Sequence, residues 1–204
     1  MSARRTLTLI FAVIAAFSAG GTAPARACVG RTIFVGYIDT PEQVLVAHLL
    51  SVFIDERTGT TVKMTRFESR EEAFGALRQD KISLYADYSG SILRRFGGDA
   101  PGPDEDANLS RLKEYLNRQH NVVWLEPLGY DTPFSGKSGV GKNSGRAGLM
   151  LCKDALSKFP ALPKLLAKLR GILDNETMTG LLREAESADP KAVARRFLKA
   201  RKLV

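Results

Sequence analysis

From Arg31 to Leu125 the chain alternates strand-like and helix-like signatures at short intervals, and this alternation limits the fold more than any other feature. Thr32 to Gly36 carries a β-branched and aromatic run (Ile33, Phe34, Val35) that reads as a strand. Thr40-Pro41-Glu42-Gln43 then opens a helix. Thr40 is the cap, Pro41 suits the first turn, and Gln43 completes a capping box. Val44, Val46, Leu49, Leu50, Phe53 and Ile54 follow at helical spacing, and Gly59 fits the stop. Thr61 to Phe67 reads as a second strand, and Ser69 with Glu72 starts a helix running to about Gln79. Ile82 to Tyr85 is a third strand, with a helix starting near Ser89-Gly90-Ser91. A helix over Leu109 to Gln119 precedes the strand Val122 to Leu125. Repeated strand–helix–strand units with short connections predict a mostly parallel sheet covered by helices, an α/β class. In such sheets ligands sit beyond the carboxyl ends of the strands, here the turns after Val35, Tyr85 and Leu125.

The two ends of the chain read differently. Arg4 and Arg5 precede an apolar run from Leu7 to Ala19, and Ala25-Arg26-Ala27 has the small-x-small form of a cleavage site. Residues 1–27 are therefore expected to be a signal peptide, too short for a membrane span, which places the mature chain in the periplasm. Cleavage after Ala27 leaves Cys28 first, with Cys152 the other cysteine. Lipidation of Cys28 is one reading, although Ala-Arg-Ala is unlike a lipoprotein site. A Cys28–Cys152 disulfide, permitted by an oxidising compartment, is favoured over it. Without the signal, 27 basic residues face 22 acidic ones, a net charge of +5. The excess lies near the end, in Lys191, Arg195, Arg196, Lys199, Arg201 and Lys202. A solvated helix face accounts for it, and an exported protein meets little nucleic acid, so no nucleic-acid partner is expected.

Phe134 to Gly148 breaks the pattern: it is rich in glycine and serine and lacks hydrophobic periodicity. Gly136 and Gly141-Lys142 superficially suggest a phosphate loop, but Asn143 stands where magnesium chemistry needs Ser or Thr. After it come a short apolar stretch, Leu149 to Cys152, and then helices over Leu162 to Leu173 and Asp174 to Glu184. Asp189-Pro190 opens a last helix. His48 and His120 have no partner ligands at metal spacing, and no spacing supports a catalytic triad or paired carboxylates, so neither a metal, a cofactor nor an enzyme is expected.

Leu84-Tyr85-Ala86-Asp87-Tyr88-Ser89-Gly90-Ser91 is the stretch that carries chemistry. Two tyrosines three apart end a strand and lead into a small, hydroxyl-rich helix start. Tyrosine faces attract a quaternary ammonium, and helix N-terminal amides receive a carboxylate. At these residues the sequence resembles the glycine betaine, choline and carnitine binding proteins of osmoprotectant ABC importers, which read Leu-Tyr-Pro-Glu-Tyr-Thr-Gly-Thr here. Pro41-Glu42-Gln43 resembles their Thr-Glu-Gln, and Phe74-Gly75-Ala76-Leu77 the helix before the tyrosine motif. Val123 to Tyr130 resembles the next strand and turn, and Asp174 to Met178 and Asp189 to Leu198 the C-terminal helices.

The resemblance implies a type II periplasmic-binding-protein fold, in which two α/β lobes close on the ligand. Here residues 28–204 would form a single lobe, with 134–148 a glycine-rich connector in place of lobe II. It implies that Tyr85 or Tyr88, with Tyr130, match cage positions, that Ser89, Gly90 and Ser91 match the carboxylate-contacting turn, and that Gln43 matches a polar cleft residue. Ile38-Asp39-Thr40-Pro41 departs from the family's Lys-x-Phe-Thr, with Tyr37 as a replacement aromatic. The implied partners are a quaternary ammonium solute and an ABC permease, and a homodimer, in which a second copy of the chain would supply the missing half, is one way to complete the site. The other reading is an envelope interaction protein that has lost its ligand.

Overall fold

The computed structural model of the protein describes residues 31–97, 101–131 and 145–204. The expected signal peptide, Cys28 and residues 134–144 of the expected connector lie outside the described residues. The strands are β1 (Ile33–Ile38), β2 (Val62–Phe67), β3 (Leu84–Tyr88), β4 (Val122–Trp124) and β5 (Ala147–Cys152). The helices are α1 (Pro41–Thr58), α2 (Arg70–Arg78), α3 (Ser89–Phe96), α4 (Glu105–Gln119), α5 (Lys153–Lys158), α6 (Leu162–Leu166), α7 (Asn175–Ala185) and α8 (Pro190–Ala200).

Local chemistry sets most of these boundaries. The Thr40 hydroxyl accepts from the Gln43 amide at the start of α1, and Gly59, at φ 66°, ends it in the left-handed conformation. Ser69, Asp104, Asp174 and Asp189 cap α2, α4, α7 and α8 in the same way. The single helix expected over Leu162 to Leu173 is not formed. It breaks after α6 into a 3-10 turn at Ala167–Leu169, and Gly171, at φ 68°, redirects the chain.

The strands form one sheet in the order β2-β1-β3-β5-β4. β1 pairs in parallel with β2 (Ile33 opposite Val62) and with β3 (Gly36 opposite Tyr85). β5 is antiparallel to both neighbours, pairing Tyr88 with Ala147 and Trp124 with Met150. Four of the five strands thus run one way, as the α/β reading requires. Ala147 and Gly148, placed in the connector by composition, are instead the first residues of β5. Main-chain pairing with β3 overrides the flexibility that their neighbourhood suggested.

Right-handed crossovers put α1, which leads from β1 to β2, on one face of the sheet. They put α2, which steps back over β1 to reach β3, on the other. The core is continuous: Val35, Leu45, Phe53, Phe74, Leu84, Met150, Val193 and Leu198 are all sealed from solvent. α8 packs on the outside of α1, adding a further layer on that face.

Candidate functional site

The first turns of α1, α2 and α3 converge where β1, β2 and β3 end, and β5 enters the sheet from the same edge. Tyr88, Tyr130, Glu42, Gln43 and Ser89 meet there.

The tyrosines of the 84–91 motif part company. Side chains alternate across a strand, so Tyr85 and Asp87 turn to one face of β3 and Tyr88 to the other. The Tyr85 hydroxyl donates to Asp87 Oδ2 at 3.2 Å, and the Tyr88 amide donates to Asp87 Oδ1 at 2.8 Å. Arg70, in the first turn of α2, forms an ion pair with Asp87, and both side chains are essentially removed from water (3% and 0% exposed). Burial raises the Asp87 carboxyl above its ordinary range, against the pull of Arg70, the Tyr88 amide and the Tyr85 hydroxyl. Tyr85 thus belongs to a buried ion-pair network on the α2 side of the sheet.

Tyr88 and Tyr130 do come together. Their rings meet edge to face with centroids 5.8 Å apart, and both are buried. Both hydroxyls interact with the carboxylate of Glu42, itself buried in the first turn of α1. Burial first, and then the charge of Glu42, raise both phenols well above their ordinary range, so they remain neutral hydrogen-bond donors.

The remaining expected residues have definite places. The Gln43 amide donates to the Ala86 carbonyl at 2.8 Å and is buried, tying α1 to β3. Ser89 is engaged twice by the returning chain. Its hydroxyl accepts from the Arg146 amide at 3.0 Å, and its own amide donates to the Arg146 carbonyl at 2.9 Å. A Cβ on Gly145 would lie 2.2 Å from that hydroxyl, so glycine lets the chain pass this close. Gly90 and Ser91 are buried in the first turn of α3. Tyr37 is half-buried on β1 beside Arg66, and among the described residues no ring contact joins it to the Tyr88–Tyr130 pair.

Cys152 is buried and has no disulfide partner among the described residues, which do not include Cys28. Its sulfur accepts from the Ala155 amide at 3.4 Å and so caps α5, and burial pushes it up to about 11. Glu42, Arg70 and Asp87 are the buried charged residues at this edge that pattern reading did not single out. The available signal was three charged residues sitting beside apolar or aromatic runs that the sheet must bury.

Among the described residues no cluster of His, Cys, Asp or Glu has the makings of a metal site, and no helix is long and apolar enough to cross a membrane. A surface depression of about 280 Å³ between α3 and α4, lined by Leu93, Arg111, Glu114 and Tyr115, touches none of the expected site residues.

This strand order, with helix N-termini gathered at one sheet edge, is the α/β fold seen in solved periplasmic binding proteins. The profile of the substrate-binding domain of ABC-type glycine betaine transport systems matches residues 31–134, and the chain belongs to that family. It is a substrate-binding domain and not an enzyme. Solved structures agree on the fold. A glycine betaine/carnitine/choline ABC transporter protein superposes with a TM-score of 0.74 at 14% identity, over 85% of this chain and 98% of that one. Apo YehZ from Escherichia coli gives 0.71 at 12% identity, over 85% and 99%. Lactococcal OpuAC, closed on glycine betaine, gives 0.50 at 10% identity, over 84% and 96%. Comparison with curated protein sequences finds no match.

Proposed function

We propose that the mature chain is a periplasmic solute-binding component that holds a quaternary ammonium compound at the Tyr88–Tyr130–Glu42 edge and presents it to an ABC permease. The observation that carries this reading is the edge-to-face tyrosine pair set against a buried carboxylate, at the sheet edge where α/β proteins place ligands. Ring faces and a carboxylate both favour a permanent cation. The reading includes removal of residues 1–27 and a connector, between Tyr130 and the start of β5 at Ala147, standing in for a second lobe.

One lobe can cover only part of a ligand that a good pocket buries by 70–90%. Ring contacts left partly wet are worth about 0.5–1 kcal/mol each, against about 2 when dry. Two rings and one carboxylate therefore support at best roughly millimolar affinity, about −4 kcal/mol. Calorimetric or NMR titration of the mature chain with choline and betaine tests this, and a micromolar constant for a monomer would refute the single-lobe estimate. If two copies complete the site between them, light scattering shows a ligand-dependent dimer.

A second reading is favoured by a specific observation. Tyr85, Tyr88, Tyr130 and Gln43 are all nearly inaccessible, and their polar ends are engaged within the chain. On that reading the edge has become core, and the protein acts by docking to the permease or another envelope partner. Absence of any shift in the Tyr88 and Ser89 amides at saturating ligand would select it.

A further inference from the structure

We infer that Asn175, the first residue of α7, is a positioning residue for solute binding: acting through Asp131, it fixes the direction in which Tyr130 meets Tyr88. The inference rests on the solute-binding reading above for what the tyrosine pair does, and adds to it a residue that lies outside the pair.

Tyr88 is held along β3, opposite Ala147 of β5. Tyr130 lies outside the strands and follows Gly129, whose φ of 129° is open to glycine and costly for other residues. Upstream of that glycine the chain is well tied. The Leu128 amide donates to the Ala147 carbonyl at 2.9 Å, and the Leu128 carbonyl accepts from the Leu173 amide at 3.3 Å. A Cβ on Gly129 would lie 3.0 Å from Gly171 Cα and from the Leu173 carbonyl oxygen, so the turn bearing Tyr130 rests directly on the turn before α7. These ties end at Leu128, and the freedom of Gly129 stands between them and the tyrosine.

The far side of Tyr130 supplies the missing restraint. The peptide joining Tyr130 to Asp131 is a rigid plane whose carbonyl and amide point in opposite directions. Its carbonyl accepts from the Ala147 amide at 2.9 Å, and its amide donates to Asn175 Oδ1 at 3.2 Å. Held at both ends, the plane sets the backbone torsion beside Tyr130 Cα and so the direction in which the side chain leaves. Ala147 also pairs with Tyr88, so one residue of β5 spaces the two tyrosines and Asn175 closes the arrangement from outside. Asn175 adds a second bond, its Nδ2 donating to Asp131 Oδ1 at 2.9 Å. A side-chain amide offers an acceptor and a donor together, which neither a carboxylate nor a methyl group can do. Asp131 and Asn175 are both exposed, so the clamp can be altered without opening the core.

The test uses the mature chain and two NMR readouts: the Overhauser contact between the Tyr88 and Tyr130 rings without ligand, and choline affinity from amide shifts at Tyr88 and Ser89. Asn175→Asp keeps the side-chain shape and turns the donor into a second carboxylate oxygen facing Asp131. A carboxylate in the first turn favours a helix, so α7 and the melting temperature are expected to hold. The ring contact is expected to weaken and choline affinity to fall about fivefold. Adding Asp131→Asn returns a donor to the clamp with the roles exchanged, and is expected to restore affinity to within about twofold of wild type and the ring contact with it. An unchanged ring contact or an unchanged affinity in Asn175→Asp overturns the inference, as does a double variant that recovers neither. Should Asn175→Asp fail to fold, Asn175→Ala decides in its place, with the same losses expected. Absence of choline shifts in the wild-type chain overturns the solute-binding reading, and the ring contact then decides this inference alone.

Discussion

Replacing Arg70 with methionine removes one partner of the most deeply buried ion pair among the described residues and leaves the Asp87 carboxylate facing the Tyr88 amide and the Tyr85 hydroxyl. Removing one member of a buried pair typically costs about 3–5 kcal/mol, because the survivor remains charged and desolvated. At roughly 2–4 °C per kcal/mol for a chain of this size, the melting temperature should fall by about 6–20 °C. The effect has a pH signature. Asp87 already sits above its ordinary range through burial, and without Arg70 it rises further. A carboxyl raised in the folded state is tolerated when protonated and costly when charged. The loss should therefore be full above the raised value and shrink as pH falls toward the unfolded value of about 4. Arg70→Met combined with Asp87→Asn should recover more than half of the loss, since neutralising both sites removes the stranded charge. The single tryptophan, Trp124, is buried at β4 and reports unfolding by fluorescence in urea. A loss below about 1 kcal/mol, or one equal at pH 5 and pH 7.5, would refute the reasoning.

Two further outcomes follow from close packing and from the histidines. Gly148→Ala would bring a Cβ to 2.4 Å from the Trp124 ring, so a loss of about 1–3 kcal/mol and a shifted tryptophan emission are expected, and an unchanged urea midpoint would contradict this packing. His48 and His120 are both lowered, first by burial and then by Lys191 and Arg78 respectively, with Asp189 opposing at His48. The unfolded chain takes up protons near pH 6.5 that the fold resists, so stability present above that value should decline as pH falls through it toward the lowered values. His120→Gln should flatten part of that slope in a series of thermal melts. Arg78 donates to His120 Nδ1 at 3.4 Å, which fixes the neutral tautomer and sets a cation against any added proton.

The α/β architecture was legible because the punctuation is local. Thr40, Ser69 and Asp189 each cap the helix they were expected to cap, and Gly59 stops α1 where its backbone freedom is needed. Strand ends were less legible. β3 runs on to Tyr88 rather than stopping at Tyr85, because Ala86 to Tyr88 find partners in β5, a strand more than 50 residues later. That extension decides the site: it turns Tyr85 and Tyr88 to opposite faces, where a turn would have kept them together. Glu42, Arg70 and Asp87 stayed hidden for a related reason. Spacing shows that a charge is present, but only the tertiary fold shows that it is buried and what compensates it. α5 was not placed either, its cap being the sulfur of Cys152 rather than a hydroxyl or carboxylate.

Because β5 lies between β3 and β4, the latter has no other neighbour in the sheet among the described residues. A growing polypeptide can assemble β1, β2 and β3 through short local crossovers, but β4 must wait until residues 147–152 are made and threaded into the gap. Long-range closure of this kind carries an entropy cost and slows folding relative to local pairing. Until it happens, the outer edge of β3 exposes unpaired main-chain groups that invite association between chains. Completion of the sheet is thus postponed to a late zipping event, which would keep an unfinished chain loose and dependent on protection from its own kind.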